Sequence, residues 1–314
     1  MRARPRHRRL LEVENKAEAE RSEKQLRVNV ALGALEMVFQ PIVDLRTGST
    51  VGAEALSRFL APPVRPPDHW FAEAADVGRD VELEVAAVEA ALQQLRKLPR
   101  GIYLSLNASP TTMVSPEFRS VIADVAAERV VLELTEHTGI DDYDSFKGAI
   151  SQLRSQGLRL AIDDAGSGFS SFRHILNLRP DVIKLDITLT RGIDLDPARR
   201  ALGAALLTFG LDAYNASMVA EGIETEGELN TLRALGCRYG QGFYLGKPGG
   251  MGLLDLGRLS PWRESGPSVK TVESQNGAEA VGNGEPLHSH ADPVRLLAAV
   301  EEALGLPHEV SRTA

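Results

Sequence analysis

Short apolar runs alternate with longer stretches of helical periodicity through the middle of the chain. Runs at 37–43, 51–59, 102–107, 130–135, 158–163, 181–186, 217–222 and 240–245 read as strands. The segments near 70–97, 116–127, 142–156, 170–178, 196–213 and 225–235 carry the spacing of helices. Strands alternating with helices imply a mainly parallel sheet covered by helices. Eight such runs predict a (β/α)8 barrel, a TIM-type α/β fold. Only LRTGST separates the first two strands, and a parallel crossover needs a dozen or more residues. That pair is therefore expected to be antiparallel, which makes the barrel a modified one.

The flanks differ in pattern. Residues 1–35 form a basic, charged helical arm with a weak apolar stripe (Leu26, Val30, Leu35), expected to pack on the barrel at 36–250 or on a partner. Residues 251–314 are expected to be a flexible linker and a short C-terminal helix. The stretch 262–291 is rich in Gly, Ser, Asn and Glu without periodicity. Asp292-Pro293 then starts a helix whose face is Val294, Leu296, Leu297, Val300 and Leu304.

Composition narrows the function classes. In 314 residues, 43% hydrophobic and 25% charged content can bury a core, which excludes disorder throughout. Cys237 is the only cysteine, which excludes a disulfide scaffold and a thiolate metal site. No run of 18 apolar residues predicts a membrane span, and the basic start has no apolar segment behind it, so a cytoplasmic location is expected. The net charge of −8 divides into +4 for residues 1–30 and −12 for the rest. An acidic body argues against binding a nucleic-acid polymer, but it leaves room for a small phosphorylated ligand held by local cations.

The polar residues inside the strands carry the chemistry. Nearly every strand ends, or nearly ends, in an acid, an amide or a lysine: Glu54, Asn107, Glu133, Asp163 with Asp164, Lys184 with Asp186, Glu221 and Gln241. In a barrel these ends converge on one face, where active sites are built. Carboxylates crowded there persist by pairing or by ligating metal. Oxygen donors with neither Cys nor His select a hard cation, Mg²⁺ or Mn²⁺. Adjacent Asp163 and Asp164 could hold two ions, the arrangement that serves in-line displacement at phosphorus.

Each element has a plainer use by itself. Asp-Asp before glycine caps turns, a strand Glu faces solvent, a lysine pairs with an acid, and Gln40 before Pro41 satisfies a turn. These readings weaken when all the residues fall on one rim. DDAGSGFSS (163–171) resembles a phosphate loop, but Ser171 stands where a dinucleotide fingerprint needs glycine, and no G-K-[ST] follows. His69, His137 and His174 show no metal-ligand spacing and are expected to lie at the surface or in local hydrogen bonds.

Eight motifs occur in order: FQPIVDL (39–45), GAEALSRF (52–59), SLNAS (105–109), LELTE (132–136), DDAGSG (163–168), VIKLD (182–186), VAEGIET (219–225) and YGQGFYLGKP (239–248). On these the chain resembles the EAL family of bacterial cyclic di-GMP phosphodiesterases over about residues 36–248. The resemblance implies that Glu54, Asn107, Glu133 and Asp163 hold one metal. Asp163 and Asp164 would share a second, helped by Glu221 and Glu224. It implies Glu221 as general base, Lys184 at the attacking water or phosphate, and Arg58 on a ligand phosphate. Gln40, Gln241 and Asp186 would line the ligand pocket, and Glu136 would anchor the loop after Asp164.

The implied activity is metal-dependent hydrolysis of cyclic di-GMP to linear pGpG. The implied partners are the cyclic dinucleotide, a homodimer and a regulatory protein. Two departures touch the metal-site loop, where Ala165 stands for the usual aromatic and Ser167 for the usual Thr. EALSRF replaces the usual E-A-L-L-R-W beside Arg58. The alternative is a silent cyclic di-GMP receptor signalling through its arm or tail. A mere interaction scaffold would have no need of the polar rim.

Overall fold

A computed structural model describes residues 5–253 apart from 124, 135–138 and 167. Glu136, His137, Ser167 and the expected linker and helix after 253 lie outside the described residues. Eight strands close a barrel in sequence order: β1 (Leu35–Asp44), β2 (Ser49–Phe59), β3 (Tyr103–Ala108), β4 (Val130–Leu134), β5 (Arg159–Ala165), β6 (Val182–Leu185), β7 (Ser217–Ala220) and β8 (Tyr239–Gly240). β1 pairs antiparallel with β2, Gln40 opposite Glu54, and also antiparallel with β8. The remaining neighbours pair in parallel. The modified barrel expected from the short LRTGST turn is the observed fold.

Alternation along the strands divides the core into two layers. Leu104, Leu106, Leu132, Leu160, Ile162 and Ile183 point outward into the main apolar cluster, which continues onto the covering helices. Ile42, Val131, Ala161, Val182 and Val219 form a separate apolar plug, with Val51, Tyr103 and Tyr239 packed against it. The plug closes the lower interior and leaves the C-terminal strand ends to polar residues.

The helices follow the apolar pattern, with local caps setting their ends. α1 (Pro5–Gly33) precedes the barrel. The segment near 70–97 is two helices rather than the one expected, α2 (Pro67–Asp76) and α3 (Asp80–Leu95). Gly78 breaks it at φ +74°, a left-handed conformation that costs a residue with a Cβ. The Arg79 N–H donates to Ala74 O (2.8 Å) and the Gly78 N–H to Ala75 O (3.0 Å), the double bond that ends a helix at such a glycine.

Near 116–127 the structure has α4 (Pro110–Val114) and α5 (Pro116–Ile122). Each begins with a proline behind a serine whose Oγ accepts a backbone N–H, Ser109 from Thr112 and Ser115 from Phe118. α6 (Tyr143–Ser155), α7 (Phe169–Leu178), α9 (Pro197–Tyr214) and α10 (Glu226–Ala234) lie within a residue or so of expectation. A single turn, α8 (Ile187–Thr190), follows β6. The run GQGFYL is mostly a turn, not a strand, since only Tyr239 and Gly240 join the ladder. Backbone bonds from Tyr244 N to Ile223 O and from Gly246 N to Gly242 O fold the rest over the barrel mouth.

Candidate active site

Lys184 reaches the interior from β6 and is 1% exposed, so its charge must be met by protein groups. Its Nζ lies 2.6 Å from Glu221 Oε1, 2.9 Å from Glu133 Oε2, 3.2 Å from Asp163 Oδ1 and 3.6 Å from Glu54 Oε2. Three strands and the residue that follows β7 thus deliver one carboxylate each to a single ammonium. The amides complete the ring. Asn107 Nδ2 donates to Glu54 Oε1 (3.1 Å), and Gln241 Nε2 donates to Glu54 Oε2 (2.6 Å) and Gln40 Oε1 (2.9 Å). Gln40 Nε2 in turn donates to Gly246 O (3.1 Å), which ties the turn after β8 to β1.

Asp163 and Asp164 would face opposite sides of a regular strand. A bulge brings them to one side. Ile162 pairs with Ile183 and Ala165 with Leu185, so β5 carries one residue more than β6 across the pair. Asp164 takes φ +53°, which turns its carboxylate toward the mouth. Oxygens of Asp163, Asp164 and Glu221 then lie within 4.8 Å of one another. Beside them opens a cleft of about 750 Å³, whose lining includes Arg58, Met37, Phe71, Asn107, Asp163 and Asp164.

The electrostatics report a shortage of positive charge. Burial alone would lower the Lys184 ammonium, but Asp163, Glu133, Glu221 and Glu54 hold it well above its ordinary value. Burial also works against the Glu54 carboxylate. Lys184 and the amide donors Gln241 and Asn107 nevertheless hold it below the usual range. Glu133 is raised well above that range by burial and then by Glu54. Burial lifts Glu221 to about 8. Burial, with Asp163 and Asp186 close by, lifts Asp164 to about 6.

Five carboxylates against one ammonium leave four negative charges when all are ionised, the charge of two divalent cations. Carboxylate and carbonyl oxygens with no sulfur or imidazole are donors for Mg²⁺ or Mn²⁺, so the residues present fit such ions.

The full length of the barrel also matches a known pattern. Residues 23–248 match the family model described as EAL domain. The chain belongs to the EAL domain family. It is 30% identical over 262 residues to the "Probable cyclic di-GMP phosphodiesterase PdeI" of Escherichia coli strain K12, covering 79% of this chain and 32% of that protein. It is 30% identical to the "Cyclic di-GMP phosphodiesterase PA2567" of Pseudomonas aeruginosa, covering 68% of this chain and 38% of that one. Among solved structures it is similar to "PaMucR Phosphodiesterase, c-di-GMP complex", with TM-score 0.65, 26% identity, and 73% and 98% of the two chains covered. The chain spans only about a third of the length of the two curated relatives.

This EAL domain gathers Glu54, Asn107, Glu133, Asp163, Asp164, Lys184, Glu221, Gln40 and Gln241 as one connected set. Other expected site residues lie at its edge or outside it. Glu224 pairs with Arg191 (2.5 Å), and the described carboxylate cluster does not include it. Asp186 caps α8, accepting from Thr188 N (2.8 Å), and adjoins Asp164. Arg58 lines the cleft with one Nη1 hydrogen bond to Ser57 O (2.7 Å). Glu136 lies outside the described residues.

Ser105 also belongs to the site, its Oγ donating to Glu133 Oε1 (2.5 Å) at a carboxylate with no exposure. Its position two residues before Asn107, on the same face of β3, is the signal that could have found it.

Proposed function

We propose that this EAL domain hydrolyses cyclic di-GMP to linear pGpG with two divalent cations, Mg²⁺ or Mn²⁺. The observation that carries this reading is the convergence of four carboxylates on Lys184, with Asp164 beside Asp163 and Glu221 at the cleft. Glu54, Asn107, Glu133 and Asp163 would hold one ion, and Asp163 with Asp164 the other, Glu221 completing the set. Bound there, the ions supply charge neutralisation of the phosphodiester and acidify water. Glu224 would join through a shift away from Arg191.

The protein's own groups divide the remaining work. Glu221 Oε1 would accept the proton of the attacking water, with Lys184 Nζ at 2.6 Å fixing its orientation. Lys184 keeps its proton and places positive charge beside the developing phosphorane oxygens. Arg58 would pair with a phosphate in the cleft, and a guanidinium matches phosphate oxygens in pairs. Gln241, itself held by Gln40, holds Glu54 in place. Asp186 would line the pocket through Asp164, and Glu136 would anchor the following loop.

The test is a timed incubation of the protein with cyclic di-GMP in Mg²⁺, in Mn²⁺ and in chelator, with products separated by chromatography. Metal-dependent pGpG that disappears in Glu54→Ala is the expected result. Retained ligand binding with no product in either metal would overturn hydrolysis and leave a receptor.

A further inference from the structure

We propose that the N-terminal mouth of the barrel, opposite the carboxylate site, is a binding pocket for a phosphate-class anion. A cavity of about 240 Å³ lies there, and its lining includes Arg100, Arg129, Arg159, Tyr103, Tyr239 and the single carboxylate Glu128. The lining comes from strand beginnings. Tyr103, Arg159 and Tyr239 are the first residues of β3, β5 and β8, and Arg129 immediately precedes β4.

Two features make this a built pocket. Arg129 is fixed, its Nη2 donating to the carbonyls of Leu98 (3.0 Å), Pro99 (2.8 Å) and Ile102 (2.9 Å). The Arg159 guanidinium lies 4.5 Å from the centre of the Tyr103 ring. That ring occupies the space Gly52 leaves open, where a Cβ would fall 2.5 Å from Tyr103 Cζ.

The positive charge of the pocket exceeds its one lining carboxylate, Glu128. Among the described residues neither Arg100 nor Arg159 forms an ion pair with a carboxylate. The neighbouring Asp44, which pairs with Tyr239 in the sheet, is already engaged by Arg238 (3.2 Å) and Arg46 (3.6 Å). Three guanidiniums facing one carboxylate concentrate positive charge on a protein whose net charge is −8. Guanidinium forks suit the tetrahedral oxygens of phosphate. A cavity of about 240 Å³ has room for phosphate or a small phosphomonoester.

The experiment is calorimetric titration of the full chain, in chelator and at low salt, with inorganic phosphate, glycerol 3-phosphate and chloride. Saturable binding of phosphate or of the monoester, but not of chloride, is expected. A tighter monoester would identify an organic phosphate as the ligand, and equal affinities the free anion. Arg159→Leu should weaken binding by about tenfold or more, as expected for a lost charge-assisted hydrogen bond. Arg100→Ala, at an exposed position, should weaken it several-fold while thermal unfolding is unchanged. Arg58→Ala, at the other end of the barrel, should leave it intact. Absence of saturable binding of both phosphate and the monoester, or binding kept undiminished in Arg100→Ala and Arg159→Leu, would overturn the proposal.

Discussion

Replacing Lys184 by methionine keeps a long apolar stem and removes the one ammonium within 3.6 Å of four carboxylates. At an effective dielectric of about 20, unit charges ~3 Å apart attract by about 5 kcal/mol per contact, before burial costs and the repulsion of the carboxylates for one another. Burying the ions offsets most of that, and removing one partner of a buried pair typically leaves a deficit of about 3–5 kcal/mol.

Protons can replace the missing charge, and this gives the deficit a pH dependence. Glu221 titrates near 8 in the folded protein, well above its unfolded value, and Asp164 near 6. A group raised in this way contributes stability that is complete below its unfolded pKa and is lost as pH rises through its folded pKa. In chelator the wild-type protein should therefore lose stability between pH 5.5 and pH 8.

Urea unfolding followed by circular dichroism measures both effects. In chelator at pH 8, Lys184→Met should cost the full ~3–5 kcal/mol expected of a broken buried pair. At pH 5.5 the deficit should shrink to about half or less, because protonated Glu221 and Asp164 no longer need a cation. Added Mg²⁺ at pH 8 should also shrink it. A deficit that is the same at both pH values and in Mg²⁺ would refute the account of a site short of positive charge.

Three further substitutions probe the scaffold around the site. Ser105→Ala removes the hydrogen bond to fully buried Glu133 and should weaken Mn²⁺ binding by about 10-fold or more in a calorimetric titration, as losing a ligand-orienting partner does. Gly242→Ala would place a Cβ 2.2 Å from both N and O of Ile223, a backbone clash that should cost more than about 3 kcal/mol in thermal unfolding. Arg27→Ala leaves buried Glu73 with Arg65 alone and should cost about 1.5–3 kcal/mol, read as a lower urea midpoint with unchanged slope.

The barrel was legible because short apolar runs alternate with helical patterns eight times and because LRTGST is too short for a crossover. The rim was legible residue by residue because most of its polar groups sit at or just past a strand's C-terminal end. What alternation could not supply was the joint orientation of Asp163 and Asp164. It depends on a bulge against β6 and a left-handed Asp164, and both are properties of pairing between strands. The break at Gly78 was visible as a glycine, but the apolar spacing continued across it and masked the change of axis. GQGFYL has the composition of a strand, yet close approach to Ile223 bends it away. Ser105 was passed over because a serine inside an apolar strand looks inert until the carboxylate opposite it is known.

The same layering explains why the site can be so poorly balanced in charge. The lower interior plug of Ile42, Val131, Ala161, Val182 and Val219 fixes the strands without help from the rim. Burial of apolar surface at about 25 cal/mol per Å² there tolerates carboxylates that repel one another above it. On the outer side, α1 reaches α2 through Lys24–Asp76 (2.5 Å), and Arg27 and Arg65 meet at Glu73. α2 also contributes Phe71 to the lining of the cleft. The second half of α1 therefore braces a wall of the cleft, and the family match beginning at residue 23 includes that half. Loss of the Arg27 contact should loosen that wall while the plug and the ring around Lys184 keep their geometry. On the proposed hydrolysis of cyclic di-GMP, Arg27→Ala should accordingly raise KM more than it lowers kcat, and a fall in kcat with KM unchanged would place the effect in the carboxylate ring instead.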